Sequence, residues 1–368
     1  MESEKGTQYK SAALEGLRSG MLAMLILFGI GLVISIFMNL FFLDDINILL
    51  NGSLSESPKI SGNSILLIAS VIMNLSLLNN GGQMANGGAL HIGYVAFLLL
   101  PMLSIFIADL RSNHKRELNR SSWISYAVSS LSFTLLVYFF SLIAKGELMM
   151  IEVDYTNPMN LPMMLVISMF IQVIIGINMK KDFSEGIRML RFSLRVLYAI
   201  AAIVVLLGGF LLLKDRISNP LYILILLVVL LPNLAVYGVF TIMGASISYG
   251  DNLKTLFSQL GIDLSFTQIP LLLRIVLMTI FVIIILFSVW KIKKNYIMNL
   301  CVFAVGFSIT SLILAYATKI NLGIVKNLLD IEFGYSYFYV FFVPLGMILL
   351  LGMVNQLIQL IAKEMKES

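Results

Sequence analysis

Long uninterrupted apolar segments are the feature that most limits what this chain can fold into. They recur along 368 residues as runs of Leu, Ile, Val, Phe and Met, each about 18–25 residues long, the length of a membrane-crossing α-helix. Strands of a membrane barrel are about half as long and alternate apolar with polar side chains. Only 12% of the residues are charged, whereas a soluble domain has about a quarter. The sequence therefore predicts an all-α, polytopic helical membrane protein.

The basic balance of the chain indicates membrane topology and not a nucleic-acid partner. The formal net charge is +5, and Lys and Arg lie mainly in short segments between apolar runs. Such segments tend to stay on the cytoplasmic side. This tendency places 111–120, 180–195 and 291–295 inside. It also predicts a multi-pass plasma-membrane protein with a cytoplasmic N-terminal segment 1–19 that forms a short interfacial helix.

The apolar runs predict eight full spans, at about 20–43, 92–109, 123–144, 162–179, 196–213, 270–290, 297–317 and 337–362. The shorter run 64–78 is expected to be a re-entrant or surface-lying helix on the outer side, because a crossing there would put the basic segment 111–120 outside.

One region breaks this alternation. An odd number of crossings must separate 180–195 from the next outer segment. Either 196–213 or 221–244 therefore fails to cross, or the C-terminal half is inverted. Pro232-Asn233, in the middle of the second run, favours a broken or re-entrant helix there, because proline removes a helix donor and clashes with the preceding turn. The pair Gly208-Gly209 keeps the first run as the alternative.

A five-residue pattern occurs four times, each time directly before an apolar run. It reads apolar, ionisable, apolar, small or polar, aromatic, and the copies span 90–94, 151–155, 262–266 and 331–335. The period of two favours a short extended segment, and the topology places all four copies outside. In three copies a short outer helix is expected first, at 65–78, 253–260 and 322–329.

The spacing of the pattern predicts repeated helical hairpins within a single membrane domain, 1–368. The hairpins are expected at about 20–110, 123–180, 262–290 with a partner in 196–244, and 297–362, with 196–244 as an insertion or irregular region.

The ionisable residues of the four copies are the candidate site: His91, Glu152, Asp263 and Glu332. A ring of these residues at an outer mouth would bind a cation, because carboxylates suit hard cations and charged rings line selective pores. The alternative is that they are solvated loop residues and that the aromatic fifth residues form an interfacial belt: Tyr94, Tyr155, Phe266 and Tyr335.

Residues for other chemistry are few. The two histidines, His91 and His114, are predicted on opposite sides, and Cys301 is the single cysteine, so we expect no metal centre, disulfide or cofactor. No paired acid, base or nucleophile occurs at membrane depth, so we expect no enzyme. Asp109 and Arg274 lie near span ends, where Arg274 is expected to snorkel. Five amides are expected to hydrogen-bond between helices: Gln172, Asn299, Asn355, Gln356 and Gln359.

The basic segment 183–195 carries apolar residues at helical spacing. It is expected to lie on anionic lipid, and the alternative is a coupling helix that docks a membrane or soluble partner subunit. Together with the span count, these features predict a transport or permease-like component without its own ATPase. The alternative function is a sensor, immunity factor or envelope-assembly factor that acts through protein or lipid interaction.

Overall fold

The computed structural model describes residues 2–41, 64–79, 82–83, 89–111, 120–144, 146–148, 151–153, 155–179, 184–214, 220–245, 247–249, 271–323 and 330–367. The chain forms two compact units. Unit 1 comprises Met1–Lys181 and Asn321–Asp330, and unit 2 comprises Asp182–Ile320 and Ile331–Ser368.

Unit 1 contains five helices and two short antiparallel strand pairs among its described residues. In chain order they are α1 (Glu2–Phe41), α2 (Ser64–Ser76), β1 (Gly82–Gln83), β2 (Ala89–Ile92), a 3₁₀ turn (Val95–Leu98), α3 (Leu99–Arg111), α4 (Arg120–Ile143), β3 (Gly146–Leu148), β4 (Ile151–Val153), a second 3₁₀ turn (Pro158–Asn160) and α5 (Leu161–Met179). β1 pairs with β2 and β3 with β4. α1 packs against α2, α3 and α4, and α4 packs against α5.

Unit 2 also contains five helices among its described residues. They are α6 (Glu185–Leu213), α7 (Pro220–Ile242), α8 (Leu271–Trp290), α9 (Tyr296–Thr318) and α10 (Tyr337–Glu367). Strand β5 (Ile247–Tyr249) pairs antiparallel with β7 (Asp330–Tyr335). Strand β6 (Ile320–Gly323) follows α9 along the chain, but all of it except Ile320 belongs to unit 1. Along the chain each set of five helices is therefore interrupted by strands after its second and after its fourth helix.

Six described helices are long and apolar enough to cross a membrane: Thr7–Phe37, Ser122–Ile143, Pro158–Gly176, Glu185–Phe210, Tyr296–Thr318 and Tyr337–Ala362. The chain is therefore a helical membrane protein. The predicted span at 92–109 corresponds to a shorter helix, since α3 has 13 residues. Helix α8 has 20 residues, Leu271–Trp290, and agrees with the predicted bounds 270–290. The predicted helix at 64–78 is α2, which is also short and is buried against α1 and α4.

Three predicted boundaries differ from the structure. The N-terminal segment 1–19 is not a separate interfacial helix, because α1 continues from Glu2 to Phe41 without interruption. The basic segment predicted at 183–195 is likewise, from Glu185 onwards, the beginning of α6. The Ser184 hydroxyl accepts a hydrogen bond from the Ile187 backbone amide at 3.4 Å and caps the helix. Of the helix expected at 322–329, the first two residues lie in strand β6. The remaining residues, like the helix expected at 253–260, lie outside the described residues.

The expected break at Pro232 is absent, because α7 is one helix from Pro220 to Ile242 with Pro232 inside it. A proline is tolerated in a membrane helix when neighbouring groups satisfy the backbone around it. The Tyr198 hydroxyl of α6 donates a hydrogen bond to the Pro232 carbonyl at 2.9 Å and so connects this turn of α7 to α6. Asn233 is buried beside it.

Candidate functional site: buried polar side chains of unit 1

The repeated pattern forms strands wherever the structure describes it. His91 lies in β2, Glu152 in β4 and Glu332 in β7, which confirms the extended conformation predicted from the alternation. In unit 1, β1 of the first hairpin lies next to β4 of the second, and Glu152 faces Glu147 in the β3–β4 register. Asp263 lies outside the described residues, as do the side chains of the other three. The ionisable ring therefore stays a prediction.

The aromatic fifth residue of the second copy is a core residue. Tyr155 is 5% exposed and packs with Leu67 and Val71 of α2, and its carbonyl accepts a hydrogen bond from Asn79 at 3.3 Å. Burial raises the pKa of its hydroxyl. Tyr155 therefore packs the second hairpin against α2 and is not part of an exposed aromatic belt.

Tyr335, the fifth residue of the last copy, has the same role in unit 2. Its ring packs on Tyr237 and Phe240 of α7, with centroids 5.7 and 5.1 Å away. Its hydroxyl donates to the Tyr237 carbonyl at 3.0 Å and lies 3.1 Å from the Thr241 hydroxyl. The belt prediction is therefore wrong for Tyr155 and Tyr335. Tyr94 is half-buried, and Phe266 lies outside the described residues.

The two helices that these tyrosines contact end in the same way. At the end of α2, the backbone amide of Asn79 donates to the backbone carbonyl of Asn74, and the backbone amide of Leu78 donates to the carbonyl of Leu75. At the end of α7, Ala245 and Gly244 make the equivalent bonds to Phe240 and Thr241. Leu78 and Gly244 both have positive φ, 55° and 84°. Both ends are therefore Schellman motifs.

The interiors of the two units differ in chemistry. Of the 23 buried polar or charged side chains among the described residues, 16 belong to unit 1 and 7 to unit 2. Unit 2 is filled instead by aromatic pairs such as Phe281–Phe307 and Phe303–Phe307. Burying a polar side chain in an apolar bundle is costly unless it has a hydrogen-bond partner or a function. Unit 1 is therefore the better candidate for a functional site.

Buried polar residues occur along most of the length of α4 and are spread over about half of its circumference. We call them the polar seam: Ser122, Ser125, Ser129, Ser130, Thr134 and Ser141. Near its C-terminal end, Asn74 of α2 donates to the Ser141 hydroxyl at 2.7 Å and to the Ser70 carbonyl at 2.8 Å. The Asn74 side-chain oxygen accepts from Asn79 at 2.6 Å. The seam therefore continues into α2 through an amide network.

Helix α5 contacts the seam in antiparallel register. Gln172 donates to the Ser129 hydroxyl at 2.8 Å, and Gly176, one turn later, is so close to the Tyr126 hydroxyl that an added Cβ would lie 2.6 Å from it. Ser168, one turn before Gln172, is therefore level with the turn of α4 between Ser130 and Thr134.

Three hydroxyls at this level have no hydrogen-bond partner among the described residues: Ser130 Oγ, Thr134 Oγ1 and Ser168 Oγ. All three residues are at most 2% exposed. They lie near the middle of the apolar spans Ser122–Ile143 and Pro158–Gly176. Buried polar atoms in native proteins nearly always have partners, and an exception indicates an unseen water, an ion or a functional role.

A buried carboxylate was missed by the sequence analysis. Asp109, in the last turn of α3, was expected near the interface, but it is 2% exposed and accepts a hydrogen bond from the Ser19 hydroxyl of α1 at 2.8 Å. Its burial was not predicted because residues close to the end of an apolar run are expected to reach the membrane interface. The high frequency of Ser and Thr along 122–134 was the available signal for the polar seam.

Three of the five amides expected between helices do hydrogen-bond there. Gln172 bonds Ser129, Asn299 accepts from the Gly186 amide at 3.2 Å, and Asn355 donates to the Tyr296 hydroxyl at 3.2 Å. Gln356 and Gln359 are exposed. Arg274 is half-buried in the first turn of α8. In the part of the chain that the structure describes, no three His, Cys, Asp or Glu side chains cluster as a metal site would require.

Comparison with known proteins finds no matching protein family, no similar curated protein and no similar solved structure.

Proposed function

We propose that this membrane protein is a transport or permease-like component, without an ATPase of its own, whose polar path follows the α4 seam of unit 1. The observation that carries the proposal is the group of three unpartnered hydroxyls, Ser130, Thr134 and Ser168, halfway along two apolar spans. Ser and Thr side chains that only join helices bond a neighbouring helix or their own preceding turn. Ser141, for example, donates to the Val137 carbonyl at 2.9 Å.

Two further observations support the proposal. Transporters commonly contain internal repeats and bind their substrates near the bilayer midplane. Here the helix and strand order recurs, the second helix of each set ends in a Schellman motif, and a buried tyrosine of the pattern packs on it in both units. We infer that the four copies of the pattern belong to two repeats. His91 then corresponds to Asp263, and Glu152 to Glu332.

Thiol accessibility tests whether water reaches the seam. On a Cys301→Ser background, Ser130→Cys, Thr134→Cys and Ser168→Cys are expected to react with a small water-soluble methanethiosulfonate reagent, because that reaction needs a hydrated thiolate. The controls are Leu131→Cys and Phe139→Cys, which lie near the same depth on the opposite, outward face of α4, are 48% and 55% exposed, and are expected not to react because that face contacts lipid. Reaction is measured by back-titration with a polyethylene-glycol maleimide on a gel.

Failure of all three seam positions to react would overturn the proposal. The hydroxyls would then be packing groups, and the alternative of a sensor, immunity factor or envelope-assembly factor would be favoured.

A further inference from the structure

The start of α6 and the turn between α8 and α9 are fastened together at one end of unit 2. The Glu185 carboxylate accepts hydrogen bonds from the backbone amides of Lys293 and Lys294, at 2.6 and 2.8 Å. The Asn299 side chain adds two more, accepting from the Gly186 amide at 3.2 Å and donating to the Lys294 carbonyl at 2.6 Å. Two segments about 100 residues apart in sequence are thus held as one surface.

These two segments carry six basic residues. Arg188, Arg191 and Arg195 follow one face of α6 at spacings of three and four residues, and Lys291, Lys293 and Lys294 lie in the turn after α8. We call these six the basic surface. Except for the half-buried Arg191, they are exposed. Glu185 is the single acidic residue within 184–200 and 290–300, and its carboxylate is engaged by the two backbone amides.

Exposed aromatic rings adjoin the basic surface. Phe192 of α6 and Phe287 of α8 pack with centroids 5.4 Å apart, and they are 39% and 43% exposed. Trp290 is 60% exposed. The Lys291 ammonium lies 5.3 Å from the Phe287 ring and 5.6 Å from the Trp290 ring. Rings of this kind at a helix end favour the headgroup level of a bilayer.

We propose that the basic surface binds the phosphate-bearing headgroup of an anionic phospholipid. Clustered Lys and Arg beside a membrane helix attract anionic lipid, and the adjacent rings offer apolar contact to the upper acyl chain. A soluble acidic partner would match the charge but would leave the rings without an apolar environment. Glu185 and Asn299 act as positioning residues, because they hold the two basic segments together.

The two tryptophans of the chain allow a site-specific test. In a Trp123→Phe protein, Trp290 is the one remaining indole. Reconstituted in phosphatidylcholine vesicles, it is expected to be quenched more by brominated phosphatidylglycerol than by an equal fraction of brominated phosphatidylcholine. The difference is expected to shrink as salt is added and to be lost in Lys291→Gln/Lys293→Gln/Lys294→Gln.

A matched control removes lysines elsewhere in unit 2. Lys214→Gln/Lys319→Gln changes the residues that follow α6 and α9 and is expected to keep the full preference. Equal quenching by the two lipids would overturn the proposal, and so would an equal loss in the control variant. Size-exclusion profiles establish that each variant is folded.

Discussion

Gly244 shows how a single backbone angle fixes the end of a helix. Its φ of 84° belongs to the left-handed region, which glycine adopts without the steric cost that other residues incur. An added Cβ would also lie 2.9 Å from the Met278 sulfur and 3.0 Å from the Tyr339 hydroxyl. The equivalent position in unit 1 is Leu78, which shows that the motif does not require glycine where the surroundings accommodate a side chain.

We therefore predict that Gly244→Ala lowers the free energy of unfolding by about 1–2 kcal/mol. The control is Gly346→Ala in α10, where an added Cβ meets nothing within 4 Å and helix propensity favours alanine. Thermal unfolding in detergent, followed by circular dichroism, measures both. Equal midpoints for the two variants would contradict the structural role of Gly244.

Single residues were the hardest features to predict from the sequence. The alternation in the repeated pattern predicts its strands, but it does not reveal that Tyr155 and Tyr335 are buried, because an aromatic residue before a span also suits the membrane interface. The burial of Asp109 was not predicted either, because a carboxylate near the end of an apolar run is also expected at the membrane interface. Depth within a bundle depends on which helices cover a residue, and one sequence does not contain that information.

At the scale of helices, two glycines set how closely the first helix of each unit approaches the fourth. A Cβ added to Gly16 of α1 would overlap the Ser125 carbonyl of α4, and one added to Gly186 of α6 would overlap the Asn299 carbonyl of α9. Backbone atoms in these helices cannot rotate away as a side chain could. Small residues at such contacts let membrane helices pack at short distance.

Gly16→Ala and Gly186→Ala are accordingly expected to destabilise the protein by about 1–3 kcal/mol each through overpacking. The controls lie on the same helices, since Gly29→Ala in α1 and Gly208→Ala in α6 place a Cβ in open space. Their unfolding midpoints should equal or exceed that of the unsubstituted protein. If all four variants behave alike, the glycine contacts do not determine helix packing.

Helices were predicted well as elements but poorly at their boundaries. Apolar length identifies α4, α5, α9 and α10 because a continuous apolar run of that size has few other uses. It fails at α1 and α6, where amphipathic polar turns continue the helix beyond the apolar run. The prediction also fails at Pro232, because local proline chemistry predicts a break whereas α7 continues through the proline.

For the whole molecule, the prediction concerns the side of the membrane on which each helix end lies. The positive-inside tendency puts the α8–α9 turn inside and the segments before α5 and α10 outside. On the Cys301→Ser background, Met159→Cys and Ser336→Cys should react with an impermeant maleimide in intact cells, whereas Lys293→Cys should react only after permeabilisation. All three positions are exposed.

The parent without cysteine controls for background labelling. Reaction of Lys293→Cys in intact cells, or opposite results for Met159→Cys and Ser336→Cys, would contradict this topology.

The uninterrupted helix α1 has a mechanical consequence. Its 40 residues give a length of about 60 Å at the usual helical rise, whereas the hydrocarbon core of a bilayer is about 30 Å thick. Gly16 meets α4 at Ser125, close to where the apolar span of α4 begins, so the residues of α1 before Gly16 extend past that end of α4. A tilt of α1 within the bilayer would therefore move this projecting N-terminal segment. A force applied to the segment would be transmitted along α1 to the hydrogen bond between Ser19 and Asp109.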